Sequence, residues 1–473
     1  MVLTASACSG KNTQQSSFSE EKNSSAVSTE TSETSSAADA EADEAEEKEC
    51  ITIKVGVVTD EYAPYAEYFN NNSNTCHVEL VNYAEGLTEK DSYYTTSNGK
   101  TTPEVNMERE IIAGNSPDMF ILPHCQLISE LADSGAFADM YGFIDNDSVL
   151  DRDSFMPNVL AALETDGSLY MLSDYFSVDT LIAKKSAVSV SDWTFDDIKA
   201  LHSSLPQGTD LFQDAFTKSA VFDLLSQGCI FSEIDKAAKS CSFDSQSYID
   251  FLEFCGSFPD ENLDTRNMDD EQIMEYYNRR MTAISRDEAL VTQTGFASVH
   301  DFRLWRYCLA GGELSFPGYP TNDGHGTMIC FGNYFAVSSS SDKKDTAWEF
   351  IKGLLDTELY NETHGFEQGT ERSNGLPVYE AEFDECVKSG MQEAFKWQLD
   401  ENNVFDVPPL SQEDADAFTD MVKKAVSVED RYISDVYSIC SEEAAAYFAG
   451  ERSAADAAAL TQSRIQLMFD EQG

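Results

Sequence analysis

The residue types that most often do covalent chemistry are few here and badly spaced for it. His77, His124, His202, His300, His325 and His364 form no HExxH pattern and no close pair, and neither a GxSxG elbow nor a Walker loop occurs. Asp145-Asn146-Asp147-Ser148-Val149-Leu150 begins like a Ca²⁺ loop, but Leu150 stands where glycine is required and no glutamate closes the twelfth position. A structural or solvated acidic turn is expected there, with no metal. The cysteines at 8, 50, 76, 125, 229, 241, 255, 308, 330, 386 and 440 show no CxxC or zinc-ribbon spacing. Several lie in apolar runs, which predicts mostly free, buried thiols. No catalytic residue and no cofactor is expected. Carboxylates are so numerous that counting alone leaves a glycosidase-like pair open, which keeps a carbohydrate-active enzyme as a minor alternative. The chemistry left to the chain is noncovalent recognition.

Charge narrows what can be recognised. With 31 Lys and Arg against 85 Asp and Glu, the formal net charge is −54, which opposes approach to a nucleic-acid backbone or an anionic membrane surface. A neutral or cationic small ligand remains. At 473 residues, 41% of them apolar, the chain is long enough for two or three domains. No run approaches eighteen consecutive apolar residues, so no membrane-spanning helix is expected.

The elements that must position any site begin near Cys50. Ile51 to Val58 reads as a strand running into the polar loop Thr59-Asp60-Glu61, Tyr62 to Asn70 as a short helix, and His77 to Val81 as a second strand. Val105 to Ala113 reads as a helix and Met119 to Leu122 as a buried strand. Leu169 to Leu172 and Asp179 to Ala183 are expected strands, separated by Ser173-Asp174-Tyr175-Phe176-Ser177. A mainly helical stretch runs from Thr194 to Arg280, strands return at Glu313 to Phe316 and Met328 to Val337, and helices fill the remainder. Alternation of strands and helices predicts βαβ units and a parallel sheet.

Ala5-Ser6-Ala7-Cys8 resembles the end of a bacterial lipoprotein signal, which implies lipidation of Cys8 and a membrane anchor there. Only Met1, Val2 and Leu3 precede the small residues, too few for an apolar signal core, so Met1 reads as internal to a longer gene product. Residues 9–49, Ser- and Glu-rich with Phe18 as their only aromatic, are expected to be a disordered acidic tether.

From residue 50 onward the chain resembles the extracellular solute-binding proteins of bacterial ABC importers, in the group related to maltose-binding protein. The resemblance is carried by Ile111-Ile112-Ala113-Gly114-Asn115-Ser116-Pro117-Asp118-Met119-Phe120, by Asp166-Gly167-Ser168-Leu169-Tyr170-Met171-Leu172 and by Trp193-Thr194-Phe195-Asp196-Asp197-Ile198. Phe335 to Lys352, Gly375-Leu376-Pro377-Val378 and the C-terminal helix with Gln462 to Ile465 complete it. It implies an α/β, two-lobed periplasmic-binding-protein-like fold of type II with a helix-rich C-lobe. The N-lobe would be 50–177 plus 331–375, and the C-lobe 178–330 plus 376–473. A neutral carbohydrate would be held in an interlobe cleft by hinge closure and delivered to the transmembrane subunits of an ABC permease. A monomer outside the cell membrane is expected. A surface lipoprotein that binds peptide is the alternative.

Sugar sites combine flat aromatic faces with carboxylates or amides that pair with hydroxyls. Asp60, Glu61 and Tyr62, after the first strand, are the first candidates; Asp60 matches in position an aspartate used by the maltose binder. His124 lies in the loop after the buried strand, where Leu122, Cys125 and Gln126 depart from the relative's tryptophan, aspartate and arginine. Tyr175, Phe176 and Ser177 form the expected crossing between lobes. Phe296 falls where the relative has a stacking tryptophan. Trp305 completes the set, although Phe302 and Leu309 beside it suggest core packing.

Overall fold

The computed structural model describes residues 50–471 apart from 89–99, 133, 190–192, 216, 236–237, 261–268, 322–325, 366–374, 400–402 and 428–432. The expected lipidation site Cys8 and the acidic tether lie outside the described residues.

Two sheets carry the molecule. The first has five strands in the order Cys76–Asn82, Ile51–Val57, Met119–Leu122, Tyr334–Val337, Leu172–Ser173. Its first three strands are parallel, with Val55 opposite both Leu80 and Met119. Alternation in Ile51–Val57 puts Ile53, Val55 and Val57 in the core, while Lys54 faces outward. Met119–Leu122 is buried at every residue, as a central strand covered on both faces must be.

The second sheet orders Val426–Ser427, Met328–Phe331, Tyr175–Lys184, Ala289–Phe296 and Asp210–Phe212, with Leu314–Ser315 and Leu376–Pro377 also pairing with the long strand Tyr175–Lys184. It corrects the expectation of a parallel sheet. The long strand is antiparallel to Ala289–Phe296, to Met328–Phe331 and to both short strands, and only the pairings at the two edges are parallel. Helices Lys218–Cys229, Gln246–Gly256, Ile433–Phe448 and Ala454–Glu471 cover one side through a core that includes Phe222, Phe251, Cys255 and Ile465.

Three connections run between the sheets. Asp174 separates Leu172–Ser173 of the first sheet from Tyr175–Lys184 of the second. Gly332 and Asn333 divide Met328–Phe331 of the second from Tyr334–Val337 of the first. The last enters Leu376–Pro377 after the helix Thr357–His364, which packs beside the first sheet's helices. Met328 to Val337, expected as one strand region, divides between the two sheets because the strand breaks at Gly332. Thr101 and Glu104 form a reciprocal cap on the helix Thr102–Ile112, and Thr194 with Asp197 does the same for Phe195–Ser203.

Candidate functional site between the two sheets

The loop at the carboxyl end of Ile51–Val57 is where an α/β sheet presents groups to a ligand. Asp60 is exposed there, and its Oδ1 accepts a hydrogen bond of 2.8 Å from Asn82 Nδ2, at the end of the neighbouring parallel strand. Glu61 is half-buried and Tyr62 fully buried. The Tyr62 hydroxyl donates to Asp174 Oδ2 at 3.0 Å and accepts from Asn333 Nδ2 at 2.8 Å. Asn333 Nδ2 also lies 3.5 Å from Glu61 Oε2, and His364 Nε2 lies 3.0 Å from the Glu61 carbonyl oxygen. One dipeptide therefore touches a residue of the first connection, a residue of the second, and the last residue of the helix leading into the third. Tyr62 was a candidate for stacking on a ligand; instead its ring meets Phe335 edge-on at 5.9 Å, inside the core.

The other candidates separate according to strand register. Tyr175, Phe176 and Ser177 are not a connecting loop: they begin the long strand. Successive side chains then point to opposite faces. Phe176 sits fully buried opposite Phe331 and Leu376, which removes it from any surface a ligand could reach. Tyr175 and Ser177 share the other face and are half-buried. The Tyr175 ring lies between two glycines of the other connections, since a Cβ built on Gly332 or Gly375 would overlap it. Ser177 stands opposite Cys330.

Phe296 is likewise fully buried, with its ring centroid 5.8 Å from Phe302 and 6.3 Å from Phe418. Strand pairing with Val178 turns it inward, and the neighbour that stays exposed is Gly295. Trp305 is half-buried against Leu304, Cys308, Leu309 and Val407 at the start of a π-helical turn, Trp305–Leu309. Packing holds it, as its neighbours suggested. His124 Nδ1 faces Glu104 Oε1 at 3.2 Å, and the other oxygen of that buried carboxylate caps its own helix by accepting from the Thr101 amide and hydroxyl.

One group with a perturbed acidity was missed. Asp179, four residues along the strand from Tyr175, accepts from Tyr319 Oη at 3.0 Å on Oδ1 and from Gln293 Nε2 at 2.9 Å on Oδ2. Burial pushes its pKa up to about 6 against the pull of those two donors. An acid inside the run Val178-Asp179-Thr180-Leu181-Ile182 was the available signal, because Asp is depleted in strands. Among the described residues no group of three or more His, Cys, Asp or Glu is placed to hold a metal ion, and no helix is long and apolar enough to cross a membrane.

No protein-family model and no curated protein sequence matches the chain. Solved structures do match. The sugar-binding protein MalE from Xanthomonas citri aligns over 89% of this chain and 98% of its own, with a TM-score of 0.57 at 14% identity. The fold is that of the two-lobed solute-binding proteins. An extracellular solute-binding protein of family 1 from Alicyclobacillus acidocaldarius aligns over 89% of this chain and 99% of its own, at a TM-score of 0.53 and 12% identity. An ABC substrate-binding protein from Listeria monocytogenes, in complex with cycloalternan, aligns over 89% and 100% at 0.51 and 14%. The Glu61–Tyr62 dipeptide sits where the connections between the two sheets meet.

Proposed function

We propose that the protein is the solute-binding component of an ABC importer, which closes its two lobes over a carbohydrate or oligosaccharide and delivers it to the permease. The uncharged sugar is the base case. The observation that carries this reading is the Glu61–Tyr62 dipeptide. It follows the exposed Asp60 at the end of the first strand and is bonded to Asp174 and Asn333, one residue from each of two hinge connections. A ligand hydroxyl bound by Asp60 would pull on the same loop whose Tyr62 is bonded to two of the hinge connections, so binding and closure are joined through those hydrogen bonds. Ser177 and Tyr175, on the second sheet beside the hinge, are the remaining candidates of the original set for the opposite wall. The solved structures of like fold include a sugar-binding protein and a cycloalternan complex, which supports carbohydrate as the ligand class. Anchoring through lipidated Cys8 belongs to the same proposal.

A thermal-shift screen of mono- and oligosaccharides is the test. A ligand at one hundred times its dissociation constant stabilises the folded state by about 2.7 kcal/mol, so a matching sugar should raise the melting temperature by several degrees. A broad sugar panel that fails while peptides succeed would overturn the carbohydrate reading. For the anchor, precursor carrying a complete signal should partition with membranes and Cys8→Ser should release it; soluble wild type would remove that part.

A further inference from the structure

Asp179 is a half-buried acid to which the proposed function gives no task. In its strand it is paired with Gly295 on one side and Met328 on the other. Directly opposite residues share a face of the sheet, so the carboxylate lies beside a position that has no side chain. Gly295 is exposed although its strand runs between two others, and a Cβ built on it would meet nothing nearer than the Val178 carbonyl oxygen at 3.8 Å. The sheet is open at this point. Ser177, half-buried, lies on the same face two residues nearer the hinge.

The carboxylate is oriented but not neutralised. Tyr319, itself fully buried, and Gln293 each donate one hydrogen bond to it, and neither brings a charge. Among the described residues no lysine, arginine or histidine forms an ion pair with Asp179. Asp118, Asp147 and Asp414, by contrast, hold Lys343, Lys352 and Arg306. An anion half withdrawn from water without a counter-charge is less favourable than a paired one, and proteins normally pair it. The missing component is a cation small enough to enter beside a glycine and able to donate without accepting, and an ammonium group has three donors and no acceptor. A divalent metal would need further ligands, and none are grouped here among the described residues.

We infer that the face formed by Asp179, Gln293 and Gly295 is a subsite for a protonated amine, so that the ligand is an amino sugar or an oligosaccharide that carries one. This rests on the reading that a sugar is bound between the lobes, and it alters the ligand's charge. Gln293 fixes the carboxylate from the sheet, Tyr319 fixes it from the segment that follows Leu314–Ser315, and Gly295 leaves the position beside it open.

Isothermal titration of the full chain at pH 7.5 with three sets of probes tests it. The sets are neutral maltotriose and cellobiose, the β-1,4 dimer of glucosamine against its N-acetylated form, and spermidine as an amine without a sugar. The glucosamine dimer should bind about ten- to a hundredfold more tightly than its N-acetylated twin, the range expected for one charge-assisted contact. The isosteric Asp179→Asn should shrink that ratio to about twofold or less. If Asp179→Asn does not fold, Gly295→Val fills the opening instead, and should abolish the amine preference while the wild-type melting temperature is retained. Equal binding of the two dimers with an unchanged ratio in Asp179→Asn overturns the amine subsite and leaves the sugar reading intact. Spermidine bound in preference to every sugar keeps the subsite and overturns the sugar reading. Silence from all three sets removes both.

Discussion

Asp147 and Asp179 are both aspartates drawn into the protein, and their surroundings treat them in opposite ways. The Asp147 side chain is 4% exposed and holds Lys352 Nζ at 2.9 Å. It also accepts from Trp348 Nε1 at 2.9 Å and from the amides of Val149 and Leu150 at 2.8 and 3.1 Å. Lys352 foremost, with those donors, keeps its carboxyl well below the usual carboxylate range. Asp179 has a phenol and an amide but, among the described residues, no cation, and burial raises it. The difference separates an acid whose partners are all supplied by the fold from one whose counter-charge has to come from outside. Asp145 forms a pair of the same kind on the surface, holding Arg152 at 2.6 Å while exposed.

Several experiments can break or sharpen that contrast. The largest expected effect is from Asp147→Ala, which strips Lys352, Trp348 and two backbone amides of their common acceptor. A loss of roughly 3 kcal/mol in urea unfolding is expected from the four donors that lose this acceptor together, with Lys352 only half-buried. Because its folded pKa is depressed, the stability Asp147 contributes is present above its unfolded pKa and fades as pH falls below about 4. A stability profile flat across that acid range would remove Asp147 from the comparison.

Asp179→Asn should do the reverse in the ligand-free protein. A raised folded pKa makes the acid's contribution fully present below the unfolded value of about 3.9, and it is lost as pH rises through about 6. At pH 7.5 the amide should therefore be more stable than the acid, by on the order of 2 kcal/mol, with the gap closing by about pH 4. A variant that melts lower than wild type at pH 7.5 would mean that the carboxylate is stabilising as it stands, and the contrast with Asp147 would collapse.

Tyr62→Phe falls between the two, since Asp174 is fully buried and takes a hydrogen bond from the lost hydroxyl. A cost of about 1–2 kcal/mol follows from leaving a buried acceptor short of a donor. The smallest effect on stability belongs to Asp60→Ala, within about 0.5 kcal/mol as for other exposed sites. Its signature is in affinity: about ten- to a hundredfold weaker sugar binding at an unchanged melting temperature.

Local pattern was readable and register was not. Met119 to Leu122 and the Thr194 cap are where the residue types put them, because β-branched and aromatic runs and capping side chains act over a few residues. Phe176 and Phe296 could not be oriented from the sequence. Each lies next to a small or polar neighbour, and only the pairing of Val178 with Phe296 across two distant strands decides that both rings, rather than those neighbours, face inward. Shifting that register by one residue would exchange the two faces. The bonding of Tyr62 to Asp174 and Asn333 was hidden for the same reason: residues separated by 112 and 271 positions share one hydroxyl. Asp179 was hidden among eighty-five acids, and its surroundings became visible only once Gly295 was placed beside it.

The strand Tyr334–Val337 lies between Met119–Leu122 and Leu172–Ser173, and this position governs the order in which the chain can fold. The first sheet cannot close when its first half leaves the ribosome, because the strand that joins its two parts comes after most of the second sheet has been made. An emerging N-terminal half therefore exposes the edges of Met119–Leu122 and Leu172–Ser173 until Val337 follows. Unpaired strand edges invite pairing with other chains, and closing so long a loop slows folding. A truncation ending before Tyr334 should be recovered as aggregate, and one ending just after Val337 should show the first sheet protected in hydrogen exchange. Dependence on late-made sequence also favours a chain that stays unfolded for a time after synthesis, which is the condition a polypeptide must be in to be threaded through a narrow channel.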